Sequence, residues 1–185
     1  KKFIPVEVKK SLTVSGMEVN GMCIPEKNPK YNIHGSTIQL AACMHKDCNP
    51  IGQAAAETVA HEVFHLFQAG QHDKETVYID LAFGESSDQW LTEGTAAYMG
   101  AYVVSMIPAA FSLTEYKPGE SSYIGRIQDS QENIQMALPL RKTLGGSSGS
   151  TYTAAAYFSH IHSSWGGVAQ IVQIVKQFSD KIKFA

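Results

Sequence analysis

Gln53-Ala54-Ala55-Ala56-Glu57-Thr58-Val59-Ala60-His61-Glu62-Val63-Phe64-His65-Leu66-Phe67-Gln68 runs for sixteen residues without a glycine or proline. Val59, Val63 and Phe67 recur every four residues, which predicts an α-helix with those three on one face. Gly70 predicts its end. Inside it stands His61-Glu62-Val63-Phe64-His65. Residues four apart on a helix are neighbours, so both imidazoles can reach one ion. Neutral imidazole binds Zn2+ at about 2.0–2.1 Å, and two ligands on one helix need this spacing. Glu62 is one step round from His61, so it lies beside such an ion rather than on it. There it can take a proton from water. The pattern is an established metalloprotease signature, and chance placement of the 7 His and the glutamates in 185 residues gives it about 0.015 times per chain. The bland alternative is a solvated His/Glu face on an amphipathic helix.

A catalytic ion of this kind needs a third protein ligand and one open position. Downstream stands Trp90-Leu91-Thr92-Glu93-Gly94-Thr95-Ala96-Ala97-Tyr98. Ser86 followed three residues on by Gln89 fits a capping box, which predicts a second helix through Trp90 to about Met106, ending before Pro108. Glu93 lies early in it. On its face follow Ala96, Ala97, Gly100 and Ala101, a stripe small enough for close packing against the His61–His65 helix. A short carboxylate can share an ion with two histidines only at such close range.

Outside these two helices the chain opens with β-prone runs: Phe3–Val8, Leu12–Val14, Met17–Val19, Met22–Ile24 and Thr37–Cys43. Asn20-Gly21 predicts a hairpin turn between the third and fourth of these. Residues 109–123 read as a loop turning at Lys117-Pro118-Gly119. A helical pattern covers 124–142, and Gly145–Ser150 is a hinge or surface loop. Two more helices follow, about Tyr152–Ser164 and Val168–Phe178, split at Gly166-Gly167. No repeat is present. Strands first and helices after predict an α+β fold.

Composition narrows the function. Hydrophobic residues make up 44% and charged residues 17%, with a net charge of −2, which is globular and not disordered. Arg126 and Arg141 are the only arginines, so a phosphate-reading nucleic-acid binder has almost nothing to work with. The longest apolar run, around Val103–Ala110, is interrupted by Ser105 and Pro108 and is too short for a membrane span. The chain opens Lys1-Lys2-Phe3 without Met, as a mature or excised piece of a longer precursor would. Residues 1–185 are expected to form one domain and act as a monomer. Cys23, Cys43 and Cys48 are too few for a disulfide scaffold. Cys43 and Cys48 bracket a polar loop and close as a small disulfide in an exported chain, or stay reduced otherwise.

With these residues the chain resembles the gluzincin-type zinc metallopeptidases, in which two His of one helix and a Glu of the next bind zinc. Trp90-Leu91-Thr92-Glu93-Gly94-Thr95-Ala96 is similar to the W-L-x-E-G-x-A segment of their aminopeptidase branch. The wider surroundings resemble hyicolysin-like secreted bacterial peptidases. The resemblance implies a zincin-like two-lobed domain, with sheet and active-site helix in residues 1–70 and a helical lobe in 71–185. It implies Zn2+ on His61, His65 and Glu93, Glu62 as general base, an exported location, and an edge strand, Thr37–Cys43, that pairs with extended peptide substrate. It also implies a late donor to the oxyanion of the tetrahedral intermediate. Tyr152 is the first candidate, with Tyr157 and His160 as substitutes on the same helix; His34, His45, His72 and His162 receive no role.

Two departures stand out. Twenty-seven residues separate His65 from Glu93, more than in thermolysin or the aminopeptidases, which makes 71–87 an expected insertion. The aminopeptidase G-x-M-E-N segment has only a broken counterpart, Gly16-Met17-Glu18-Val19-Asn20, read here as strand. The sequence therefore points to a zinc peptidase acting on peptide or protein, with no nucleic-acid partner. The alternative is a catalytically silent homologue that binds peptide or glycan, which turnover of an unstructured protein would separate.

Overall fold

The computed structural model describes residues 3–14, 16–25, 35–42, 53–71, 89–106 and 154–182. Five short strands come first: β1 (Val6–Lys9), β2 (Thr13–Val14), β3 (Met17–Glu18), β4 (Gly21–Ile24) and β5 (Thr37–Ala41). Four helices follow: α1 (Gln53–Ala69), α2 (Gln89–Met106), α3 (Ala155–Trp165) and α4 (Gly167–Ile182). The fold is α+β, as the order of patterns in the sequence predicts.

The main sheet has the order β1-β5-β4, with β1 parallel and β4 antiparallel to β5. Val8 pairs with Leu40 and Cys23 with Ile38. Ile38 and Leu40, two apart, point to one face of the pleat and are buried with Cys23. On β1 and β5, Gln39 Nε2 donates to Glu7 Oε2 at 3.1 Å. The strand Thr37–Ala41 is thus central, not the expected edge strand. Both its backbone sides are taken, so it cannot add a peptide; among the described residues the edges belong to β1 and β4.

The hairpin also falls elsewhere than Asn20-Gly21. β3 turns back onto β2, with Val14 opposite Met17, and Gly16 takes φ +82° in the loop between them. A side chain is strained at that φ, so glycine marks the turn. After β3 the chain passes to the other sheet, where Asn20 O accepts from Ala41 N at 2.9 Å.

α1 lies between the sheet and the helical layer. Ala55, Leu66 and Ala69 join Ile38 and Leu40 in one core cluster, while Phe64 joins residues of α2, α3 and α4 in the other. A helix covered on two sides does not present a simple apolar stripe: of the expected face, Val59 and Phe67 pack partly buried against the two clusters and Val63 stands out. Val63 is 43% exposed, whereas Glu57, Thr58, His61, Glu62, His65 and Gln68 are buried. Gly70 ends α1 as expected, its N–H donating to Leu66 O at 3.0 Å.

α2 is apolar nearly all round and correspondingly buried from Leu91 to Ala101, except at Glu93. Its small stripe serves close approach. A Cβ on Gly100 would meet Glu57 O at 2.9 Å and His61 N at 3.2 Å. Gly94 does the same on the other side, where a Cβ would meet Ala154 Cβ at 2.6 Å and Phe158 Cε2 at 3.1 Å. α3 and α4 part where expected, at Gly166 (φ +126°) and Gly167 (φ +70°). No helix among the described residues is long and apolar enough to cross a membrane. Cys43 and Cys48, the Ser86 cap, the 71–87 insertion beyond Gln71, the 109–123 loop, the 124–142 helix, the Gly145–Ser150 loop and Tyr152 lie outside the described residues.

Candidate metal centre

The third turn of α1 carries His61 and the fourth His65, and the close α1–α2 contact at Gly100 brings Glu93 against both. His61 Nε2 lies 2.9 Å from His65 Nε2. Glu93 Oε2 is 3.3 Å from His61 Nε2 and Glu93 Oε1 is 3.5 Å from His65 Nε2. Bonds of about 2.0–2.1 Å in tetrahedral directions put ligand atoms about 3.3 Å apart. The two nitrogen–oxygen distances fit this, and the nitrogen pair is a few tenths of an ångström short. The group His61, His65 and Glu93 can therefore hold a metal ion. The histidine side chains are 5–6% exposed and Glu93 16%, so the cluster is largely shielded from solvent.

Glu93 and the two imidazoles set one another's charge. Burial opposes charge on His65, but the Glu93 carboxylate, followed by Glu62 and the Gln68 amide, outweighs it and raises the imidazole to about 9. Burial likewise opposes charge on Glu93. His65, and hydrogen bonds from His61 and His65, overcome it and hold the carboxyl well below the usual range. A metal takes the ionised carboxylate as it stands, and the imidazole once its proton has left.

Glu62 is buried beside this cluster and off it. Burial raises its carboxyl above the ordinary value; His61 and His65 oppose that, Glu93 adds to it, and the Cys23 N–H bonded to the carboxylate opposes it. A carboxylate lifted in this way is a better proton acceptor than one in water. β4 holds it in place. A Cβ on Gly21 would overlap the Thr58 methyl and come within 3.1 Å of Glu62 Oε1. Only glycine lets that strand lie on this turn of α1.

One further residue supports a ligand and was not singled out by sequence. Gln68 Oε1 lies 2.7 Å from His65 Nδ1. Its amide nitrogen donates to Thr92 O at 2.9 Å and to Thr95 Oγ1 at 2.7 Å, on either side of Glu93 in sequence. Gln68 is i+3 from His65 and polar in the apolar run Leu66-Phe67-Gln68-Ala69, a signal that was there to be read.

The proposed oxyanion donors fare differently. Tyr157 is half-buried at the helical core, its ring 5.5 Å from that of Phe158. His160 is exposed; its ring meets Trp165 at 6.3 Å and its Nδ1 lies 3.5 Å from Ser164 Oγ, both on its own helix. Neither contact places His160 at the metal cluster. The chain matches no protein-family model, and no curated protein or solved structure is significantly similar to it.

Proposed function

We propose that this chain is a zinc-dependent peptidase of gluzincin type, a zincin-like two-lobed domain whose cleft lies along α1. The observation that carries the reading is the convergence of His61, His65 and Glu93 donor atoms with a separate, buried carboxylate, Glu62, alongside. A structural ion needs only ligands. A hydrolytic site also needs a base that is not one of them, and Glu62 meets that requirement.

A zinc ion there supplies Lewis-acid polarisation of a carbonyl and brings the pKa of water from 15.7 towards about 7. The chain's own residues do the rest. Glu62, lifted by burial, accepts the proton of the attacking water and returns it to the leaving amine. The Cys23 N–H and the Gly21 contact keep its carboxylate from swinging away. The role of peptide-pairing edge, once β5 is seen to be central, passes to β4, which borders Glu62. Tyr152 remains the proposed donor to the oxyanion, with half-buried Tyr157 and exposed His160 as its substitutes.

Two measurements test this. The purified protein should bind one equivalent of zinc, and His65→Ala should lose it, because two ligands cannot hold the ion against a chelating buffer. Glu62→Gln keeps shape but cannot take a proton, so it should keep its zinc while hydrolysis of casein or a quenched peptide drops by about 10²-fold or more. Activity near wild type in Glu62→Gln would refute the base, and with it the reaction proposed here.

A further inference from the structure

The contacts behind His65 fix both the Gln68 amide and the hydrogen on His65 Nδ1. Thr92 O is a carbonyl and can only accept, so the Gln68 atom 2.9 Å from it is the NH2 group. That orients the amide and leaves Gln68 Oε1 facing His65 Nδ1 at 2.7 Å. An amide oxygen only accepts, so Nδ1 carries a hydrogen, and the neutral ring must present its lone pair at Nε2. Nε2 is the atom that faces His61 and Glu93. Thr95 closes the set: its hydroxyl donates to a backbone carbonyl, Leu91 O at 2.6 Å or Thr92 O at 3.2 Å, and with either its oxygen accepts from Gln68 at 2.7 Å. Gln68 and Thr95 are both buried, so water does not compete.

We infer that Gln68 is a positioning residue of the metal site, fixing His65 as the Nδ1–H tautomer and tying it to the turn of α2 that carries Glu93. The inference rests on the proposed metal site and deepens it. His65 and Glu93 stand on different helices, and Gln68 is the side chain that bonds to one ligand and to the backbone beside the other. A carboxylate or carbonyl usually takes the outer nitrogen of a metal-binding histidine. Here an amide does so, and its two N–H groups give it a second hold that a carboxylate lacks.

The test compares wild type, Gln68→Met and Gln68→Glu, with Zn2+ affinity measured by competition against a chromophoric chelator. Long-range 1H–15N spectra of histidine-labelled, zinc-loaded protein report the tautomer. Wild type should show His65 protonated at Nδ1 and metal-bound at Nε2. Gln68→Met keeps length and loses every polar contact; its affinity should fall about 10–100-fold. Gln68→Glu restores the acceptor for Nδ1, so it should keep the tautomer and recover at least half of the logarithmic loss. A Gln68→Met affinity within twofold of wild type overturns the inference. So does Gln68→Glu no better than Gln68→Met, which would mark a packing role only. If Gln68→Met does not fold, Gln68→Glu decides by its tautomer: a His65 protonated at Nε2 overturns the inference. Failure of the underlying reading looks different, because wild type itself would then bind no zinc.

Discussion

Alanine at position 100 is the sharpest test of how the site is assembled. In an exposed helix interior, Gly→Ala adds about 0.8–1 kcal/mol of stability. Gly100 is not such a position. The new methyl would sit 2.9 Å from Glu57 O, 3.2 Å from His61 N and 3.3 Å from His61 Cβ. Two of these three neighbours are backbone atoms of α1, which cannot turn aside as a side-chain tip would. The helices must therefore separate by a few tenths of an ångström, and overpacking of this sort costs about 1–3 kcal/mol. Set against the propensity gain, Gly100→Ala should lose about 0–2 kcal/mol where an ordinary helix would gain about 1. The same separation stretches Glu93 from His61 and His65, so zinc affinity should fall alongside. Urea unfolding of the chelator-treated protein gives the first quantity and chelator competition the second. A Gly100→Ala protein that is more stable than wild type and binds zinc equally would refute the close α1–α2 contact as the device that gathers the ligands.

Gly21→Ala should act on the other side of α1: its methyl meets Thr58 and Glu62 Oε1, so hydrolysis should fall more steeply than zinc affinity; equal losses in both would contradict this. Zinc binding should release at least one proton at pH 7.5, because His65 in the chelator-treated protein titrates at about 9 and must become neutral. Its sign follows: below pH 9 the proton competes, so affinity should rise by up to about tenfold per pH unit between 6.5 and 8, and a flat profile would count against the Glu93–His65 pairing. Tyr98 is pushed up to about 12 by burial and then by Tyr102. Phenolate is disfavoured in the folded state, so stability conferred below pH 10 should decline as pH rises above it, and Tyr98→Phe should remove a step above pH 10 from the 295 nm titration.

The site was more legible in the sequence than the fold around it. His61, His65 and Glu93 could be paired because helix spacing is local and the Ala96-Ala97-Gly100-Ala101 stripe announces close packing. Strand order was not legible. Thr37–Ala41 reads as the best strand in the chain, and that quality belongs to a buried central position more than to an edge, as the pairing on both its sides shows. Asn20-Gly21 carries a strong hairpin signal, yet Gly21 is glycine because β4 passes within reach of Glu62 and not because the chain turns there. A one-dimensional signal cannot tell a turn glycine from a contact glycine. Val59, Val63 and Phe67 misled for a related reason. Periodicity arguments assume that polar residues face out, and α1 inverts this by burying His61, Glu62, His65 and Gln68 along with Phe64 and Leu66.

That inversion accounts for much of the surrounding sequence. Burying His61, Glu62, His65 and Gln68 is unfavourable unless each polar atom is met at short range. Long side chains on the facing helix would hold it too far away. α2 therefore carries Ala96, Ala97, Gly100 and Ala101 where leucines would bury more apolar surface, at about 0.8 kcal/mol per methylene forgone. Elsewhere along α2, Leu91 and Tyr98 join Phe158, Ile161 and Ile171 in the helical core, which also takes in Ala96, Ala97 and Ala101. α2 thus packs against both α1 and α3, and its contact with α1 is shaped for the ligands. A change in the α3–α4 core should accordingly loosen Glu93 without touching it, and the metal should feel that core through one helix.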